Sequence, residues 1–335
     1  MRLRSLAFLL AVAAAGSLTG CDGTRDGEFV PLLVVSASLG ADEPLPPVQL
    51  TRTSPLLEPY DPSAVAVAGA RVTVTLLAAD GSDEATYLYA DDLSGQFGEN
   101  ALGRYLPADS LSTRVLPGRT YRLDAAVDGQ TLRAVTTVPA TVELVEGPAA
   151  QVVYGVGQGP ELRIRLTSTP GRQSAFVAST RALAPAEFRP FSVDGETRYR
   201  SVPDPDRFLP VPLYQRFLDC EPEAGGTILC DEDPADNAVT GTSPVINEDS
   251  YIDLGDGTAL VQVPFLAFGF YGPYRVSLVS VDDALQTFVQ TQAVQGGGST
   301  LSPGEIPNVT TNVEGGLGVF GSFARVSVET TIVEP

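Results

Sequence analysis

The chain has 335 residues, a formal net charge of −20 and a pI near 4.3; its 21 basic residues are all arginine, and histidine and tryptophan are absent. An acidic field of this size repels phosphate backbones, which makes nucleic acid and anionic membrane surfaces poor partners, although a high-GC or salt-adapted source would also produce the composition. Without histidine the usual general base and the commonest transition-metal ligand are missing, so Ser-His-Asp and Cys-His catalysis and most zinc sites are ruled out.

The chain opens with two arginines in residues 1–4, an almost wholly apolar run over 5–18, and Leu18-Thr19-Gly20-Cys21. Charged, hydrophobic and cleavage regions in that order make an export signal, and Leu18 at −3 with Gly20 at −1 suits a bacterial lipoprotein signal peptidase. Processing would remove residues 1–20 and leave Cys21 as the lipidated first residue. The apolar run of about 14 residues is too short to cross the roughly 30 Å of a bilayer's hydrocarbon core as a permanent helix. The alternative is an ordinary secretory signal with a chance cysteine. Residues 21–28 form a polar, acidic tether. Within it Asp22, Asp26 and Glu28 would suit a signal for surface export.

Residues 29–38 read as a first strand and 48–53 as a second, with Pro44, Pro46 and Pro47 between them barring a helix. Residues 64–78 read as a two-part strand interrupted at Gly69 and followed by an Asp80-Gly81 turn. Strands at 87–89, 104–106, 121–127 and 132–137 continue the series, and the last two, joined by Asp128-Gly129, form the clearest hairpin. About seven short strands at this spacing predict an immunoglobulin-like or transthyretin-like β-sandwich over 29–140, ended by Pro139. The expected fold class is all-β, with a second β domain over 141–335 that carries one short helix.

In that second part, strands are expected at 142–145, 151–154, 161–167 and 173–181. Leu162, Ile164 and Leu166 alternate with Arg163 and Arg165, giving one face to the core and the other to water. Residues 185–245 read as a long irregular insertion, proline-rich and acidic, which is the kind of segment that is functional or disordered. It holds Cys220 and Cys230 beside Asp219, Glu221 and Asp231. An oxidising compartment and acidic neighbours that suppress the thiolate predict a disulfide closing a polar loop, worth about 2 to 3 kcal/mol; a reactive or metal-binding pair is the alternative. Further strands are expected at 258–270 and 274–280. A helix follows over 282–295, where Leu285, Phe288 and Val289 form a stripe for the second sheet. A glycine-rich turn at 315–323 feeds a last strand at 324–333. Asn312, Gly315, Gly316, Gly318 and Gly321 give that turn backbone freedom, either to contact a ligand or partner or to fold tightly beneath a neighbouring strand.

The closing run Ile306-Pro307-Asn308-Val309-Thr310-Thr311-Asn312-Val313-Glu314-Gly315-Gly316-Leu317-Gly318-Val319-Phe320-Gly321 resembles the C-terminal signature of a family of Bacteroidota lipoproteins, domain of unknown function 4249. The lipidated start, residues 69–74 with Asp80-Gly81, and 118–123 leading through Gly129 to 136–139 are similar to it as well. The resemblance covers nearly the whole mature chain. It implies an exported β-protein anchored at the outer membrane, facing the periplasm or the exterior, often near TonB-dependent receptors, and it supplies no catalytic residues.

Paired carboxylates are the catalytic device left to a chain without histidine. Candidates lie in the run Asp231, Glu232, Asp233 and Asp236, and at Asp253 with Asp256. No tryptophan offers a sugar platform, so a carbohydrate hydrolase is the weakest expectation. Calcium suits the oxygen ligands of Asp253 and Asp256 better, although the spacing is not that of an EF-hand, and a solvated acidic loop is the plainer reading. No organic cofactor is expected. The expected function is a lipid-anchored, non-enzymatic binding or accessory protein associated with a TonB-dependent outer-membrane receptor. Its rival is a cell-surface adhesion or structural module stiffened by calcium.

Overall fold

The computed structural model describes residues 29–55, 59, 61–92, 103–108, 113–157, 159–166, 175–183, 186–193, 196–203, 211, 240–243, 245–247, 249–293 and 310–335. Cys21, the tether, Cys220, Cys230 and the acidic run 231–236 lie outside the described residues.

The first part of the chain forms β1 (Leu33–Gly40), β2 (Val48–Arg52), β3 (Arg71–Leu77), β4 (Asp83–Asp91), β5 (Arg104–Pro107), β6 (Thr120–Val127) and β7 (Gln130–Thr137). Strand geometry sends alternate side chains to opposite faces, so Leu33, Val35, Ala37 and Leu39 of β1 meet Tyr121, Leu123 and Ala125 of β6 in one core. The β6–β7 hairpin forms where expected: Val127 faces Gln130, and Asp128 (φ 52°) and Gly129 (φ 77°) supply the positive angles its two-residue turn needs. The two-part strand expected from residue 64 is corrected. Pro62–Val65 is one helical turn, because Asp61 Oδ1 accepts hydrogen bonds from Ser63 N (2.9 Å) and Ser63 Oγ (2.6 Å) and proline is tolerated at a helix start.

The second part forms β8 (Glu143–Glu146), β9 (Gln151–Val153), β10 (Glu161–Arg165), β11 (Phe176–Ala182), β12 (Ala186–Val193), β13 (Glu196–Pro203), β14 (Thr240–Thr242), β15 (Ile252–Asp253), β16 (Thr258–Gln262), β17 (Gly272–Val281), helix α1 (Asp283–Ala293), β18 (Val313–Glu314) and β19 (Leu317–Val333). In β10 the predicted alternation holds, with Leu162 opposite Val261 and Ile164 opposite Ala259, all fully buried. Two expectations are corrected here. The insertion opens with the antiparallel hairpin β12–β13, which its prolines hide from a pattern reading; a two-stranded ribbon has only edge strands, where proline is admitted. The strand expected over 258–270 stops at Gln262, and a 3-10 turn, Phe265–Ala267, follows Pro264.

A 13-stranded sheet runs β14-β11-β17-β19-β1-β2-β5-β4-β3-β6-β7-β18, with β9 beside β19; a four-stranded sheet runs β15-β16-β10-β8. The chain is thus an all-β sandwich protein, as its composition of short strands predicts, with one helix longer than a single turn among the described residues. β19, at 17 residues, serves both cores. Its first half pairs in parallel with β1 and places Phe320 in the first core, and its second half pairs antiparallel with β17 and places Ala324 and Ile332 in the second. α1 lies over β19 at the junction of those halves, where Leu285 covers Gly321.

Buried phenols tie loops to the cores. Tyr105 Oη donates to Val67 O (2.9 Å) and accepts from Ala70 N (2.9 Å), Tyr89 Oη donates to Pro46 O (3.0 Å), and Tyr274 Oη accepts from Phe270 N (2.9 Å). Burial raises all three, Tyr274 to about 12 from an ordinary 10.0. A raised folded-state value keeps its contribution to stability intact below the unfolded value and loses it as pH rises through the folded one. Alkaline titration should therefore show tyrosinate from Tyr89, Tyr105 and Tyr274 appearing only as circular dichroism is lost, for Tyr274 on the way toward pH 12. Full ionisation near pH 10 with the fold intact would contradict this burial.

Candidate interaction surface

The closing motif is a seam. Val313 and Glu314 pair with Ala134 and Arg133 of β7, and the chain then turns at Gly315 (φ 76°) and Gly316 into β19. A Cβ on Gly315 would stand 2.3 Å from the Thr131 carbonyl oxygen, on Gly316 2.7 Å from that of Leu33, and on Gly318 1.9 Å from that of Val35. Asn312 fixes the turn: Nδ2 donates to Phe320 O (2.7 Å) and Val135 O (3.2 Å), and Oδ1 accepts from Phe320 N (3.1 Å). Of the two roles expected for these residues, close approach beneath neighbouring strands is the one their backbone contacts require.

Asp253 and Asp256 each close a local turn. Asp253 Oδ1 accepts from Gly255 N (2.8 Å); Asp256 Oδ1 accepts from Thr258 N (3.0 Å), and Oδ2 accepts from Arg163 Nη2 (2.6 Å). The Thr258 hydroxyl foremost, with the Thr258 amide and the Arg163 charge, holds the Asp256 carboxyl below the ordinary carboxylate range. Among the described residues no group of three or more His, Cys, Asp or Glu is placed to hold a metal ion.

Arginine, the chain's one cationic side chain, engages carboxylates across the sheet faces. Arg122 bonds both Asp83 oxygens (2.8 and 3.1 Å) and Asp124 Oδ2 (2.6 Å), while Arg133 Nε bonds Asp124 Oδ1 (2.7 Å). Arg165 meets Glu143 (2.8 Å), Arg52 meets Asp128 (2.8 Å), and Arg119 meets Glu84. The Arg122 guanidinium holds the Asp83 carboxyl below the ordinary carboxylate range.

Pattern reading missed a buried polar junction that joins the cores. Asp282 is 5% exposed; its Oδ1 accepts from Leu285 N (2.8 Å), capping α1, and its Oδ2 accepts from the Thr136 hydroxyl. Thr136 Oγ1 also meets Ser322 Oγ (2.6 Å), and Ser322 Oγ bonds Thr137 O (3.1 Å). The acidic start of α1 was the one legible signal, since nothing local marks residues so distant in the chain as partners.

A groove of about 420 Å³ lies where the chain passes from β8 through β9 to β10, lined among others by Glu146, Gly147, Gln151, Val156, Glu161 and Arg163. No helix among the described residues is long and apolar enough to cross a membrane.

Among solved structures the chain is similar to Salmonella alpha-2-macroglobulin reacted with methylamine, at 10% identity and a TM-score of 0.21, over 91% of this chain and 15% of that one. A likeness at that score carries no argument. No curated protein matches the chain. A family model described as Domain of unknown function (DUF4249) matches residues 24–329, and the chain belongs to that family.

Proposed function

We propose that the protein is a non-enzymatic binding or accessory module, moored to the outer membrane through a lipid on Cys21 and associated with a TonB-dependent transport receptor. The observation that carries the non-enzymatic reading is the absence of histidine from the sequence, which removes the usual general base; beside it, Arg122 holds the Asp83 carboxyl, and Thr258 with Arg163 the Asp256 carboxyl, below the ordinary carboxylate range. The Leu18-Thr19-Gly20-Cys21 site supports the mooring, and the lipoprotein setting implied by the resemblance to Bacteroidota relatives supports the location and the partner.

Cys21→Ser is the direct test of the mooring. The variant should leave the membrane fraction and appear in the soluble fraction on fractionation; retention in the membrane would refute the lipid anchor. Wild-type protein drawn from solubilised membranes should bring a transport barrel with it, and a preparation without one would refute that partner. A hydrolase activity abolished by converting an acidic pair to amides would refute the non-enzymatic reading.

A further inference from the structure

We propose that the open edge of β9, with the groove beside it, takes up an extended basic peptide segment of a partner as an added strand. The inference rests on the reading that the chain binds and does not transform. β9 pairs in parallel with β19, Gln151 with Thr331 and Val153 with Val333, and has no second strand neighbour among the described residues. Ala150 O accepts from Thr331 N (3.0 Å) and Tyr154 N donates to Val333 O (2.9 Å). In a parallel ladder, residues two apart turn their peptide groups the same way, so those of 150, 152 and 154 face β19. The N–H groups of Gln151 and Val153 therefore point to the opposite side, where no strand pairs with them among the described residues, while the Val153 carbonyl on that side accepts from Val156 N (3.2 Å).

That side is shaped for a short strand. The groove's volume of about 420 Å³ accepts a few residues of extended chain, and Gly157 on its wall, with nothing within 4 Å of where a Cβ would stand, lets a second backbone come close. Val156, 64% exposed, offers an apolar contact. The charge is set by Glu146 and Glu161, because the nearby Arg163 is paired with Asp256 at 2.6 Å. Main-chain bonds to the edge would supply affinity, and the two carboxylates on a chain of net charge −20 would select a basic segment. Pro148 and Pro160 bracket the edge and limit it to a short segment, which guards it against open-ended pairing.

The test uses the full chain carrying Cys21→Ser and two labelled hexapeptides, one alternating arginine with valine and the other glutamate with valine, read by fluorescence anisotropy at low and high salt. The arginine peptide should bind and weaken with salt, while the glutamate peptide should not bind. Glu146→Gln with Glu161→Gln should weaken the arginine peptide by about tenfold. Gln151→Pro, which removes an N–H that β19 does not use, should abolish binding. Equal binding of both peptides, no binding of either, or unchanged affinity in the double glutamine variant overturns the proposal. Thermal melts report folding, and if Gln151→Pro does not fold, the double variant still decides. Because no lipid enters the assay, its failure leaves the Cys21 fractionation result standing, and the reverse holds.

Discussion

Gly318→Ala is expected to prevent accumulation of folded protein, or to lower the melting temperature by roughly 8 °C or more. Gly318 holds φ 104°, outside the range that L side chains adopt readily, and an added Cβ would sit 1.9 Å from the Val35 carbonyl oxygen. That oxygen belongs to β1, the parallel partner of β19, with Val35 in register with Gly318. Relief requires β1 and β19 to separate beside the first core, at a cost above about 4 kcal/mol against a total stability of order 5 to 15 kcal/mol. Gly129→Ala is the control, since Gly129 has φ 77° with nothing within 4 Å of an added Cβ and should lose only about 1 kcal/mol to backbone strain. Similar melting temperatures for the two variants would show that the seam does not depend on close approach.

Asp282→Ala should destabilise by about 2 to 4 kcal/mol, combining loss of a helix cap with a buried hydroxyl deprived of its acceptor. The side chain caps α1 through Leu285 N and accepts from Thr136 on β7, so one substitution loosens the helix from both cores. Asp282→Asn retains an oxygen for the cap and should lose less than half as much. Denaturant titration of the three proteins checks the order, and an alanine variant within about 0.5 kcal/mol of wild type would remove this junction from the account.

The strands that could be read from the sequence are those whose partners lie close in the chain. β6 and β7 were legible because Asp128-Gly129 fixes a turn between two alternating runs, and β10 because Leu162 and Ile164 alternate with arginines. Residues 64–66 misled because an apolar run looks the same whether a capped Pro62 starts a helical turn or a strand continues. The β12–β13 hairpin was hidden by Pro190 and Pro203, which are admitted on edge strands. In the closing motif, Gly316 and Gly318 announced a backbone in need of room, but no local signal named the strands that crowd it.

By itself the sequence determined an all-β protein, and the absence of histidine confined its chemistry, since these follow from residue type, short-range alternation and composition. Only the tertiary structure decided that β19 runs through both cores, that Asp282 meets Thr136 and Ser322 between them, and that Asp256 belongs to Arg163. Those contacts join residues tens to hundreds of positions apart. Their choice is made by packing, register and the need of buried polar groups for partners, none of which is written in any one stretch of the chain.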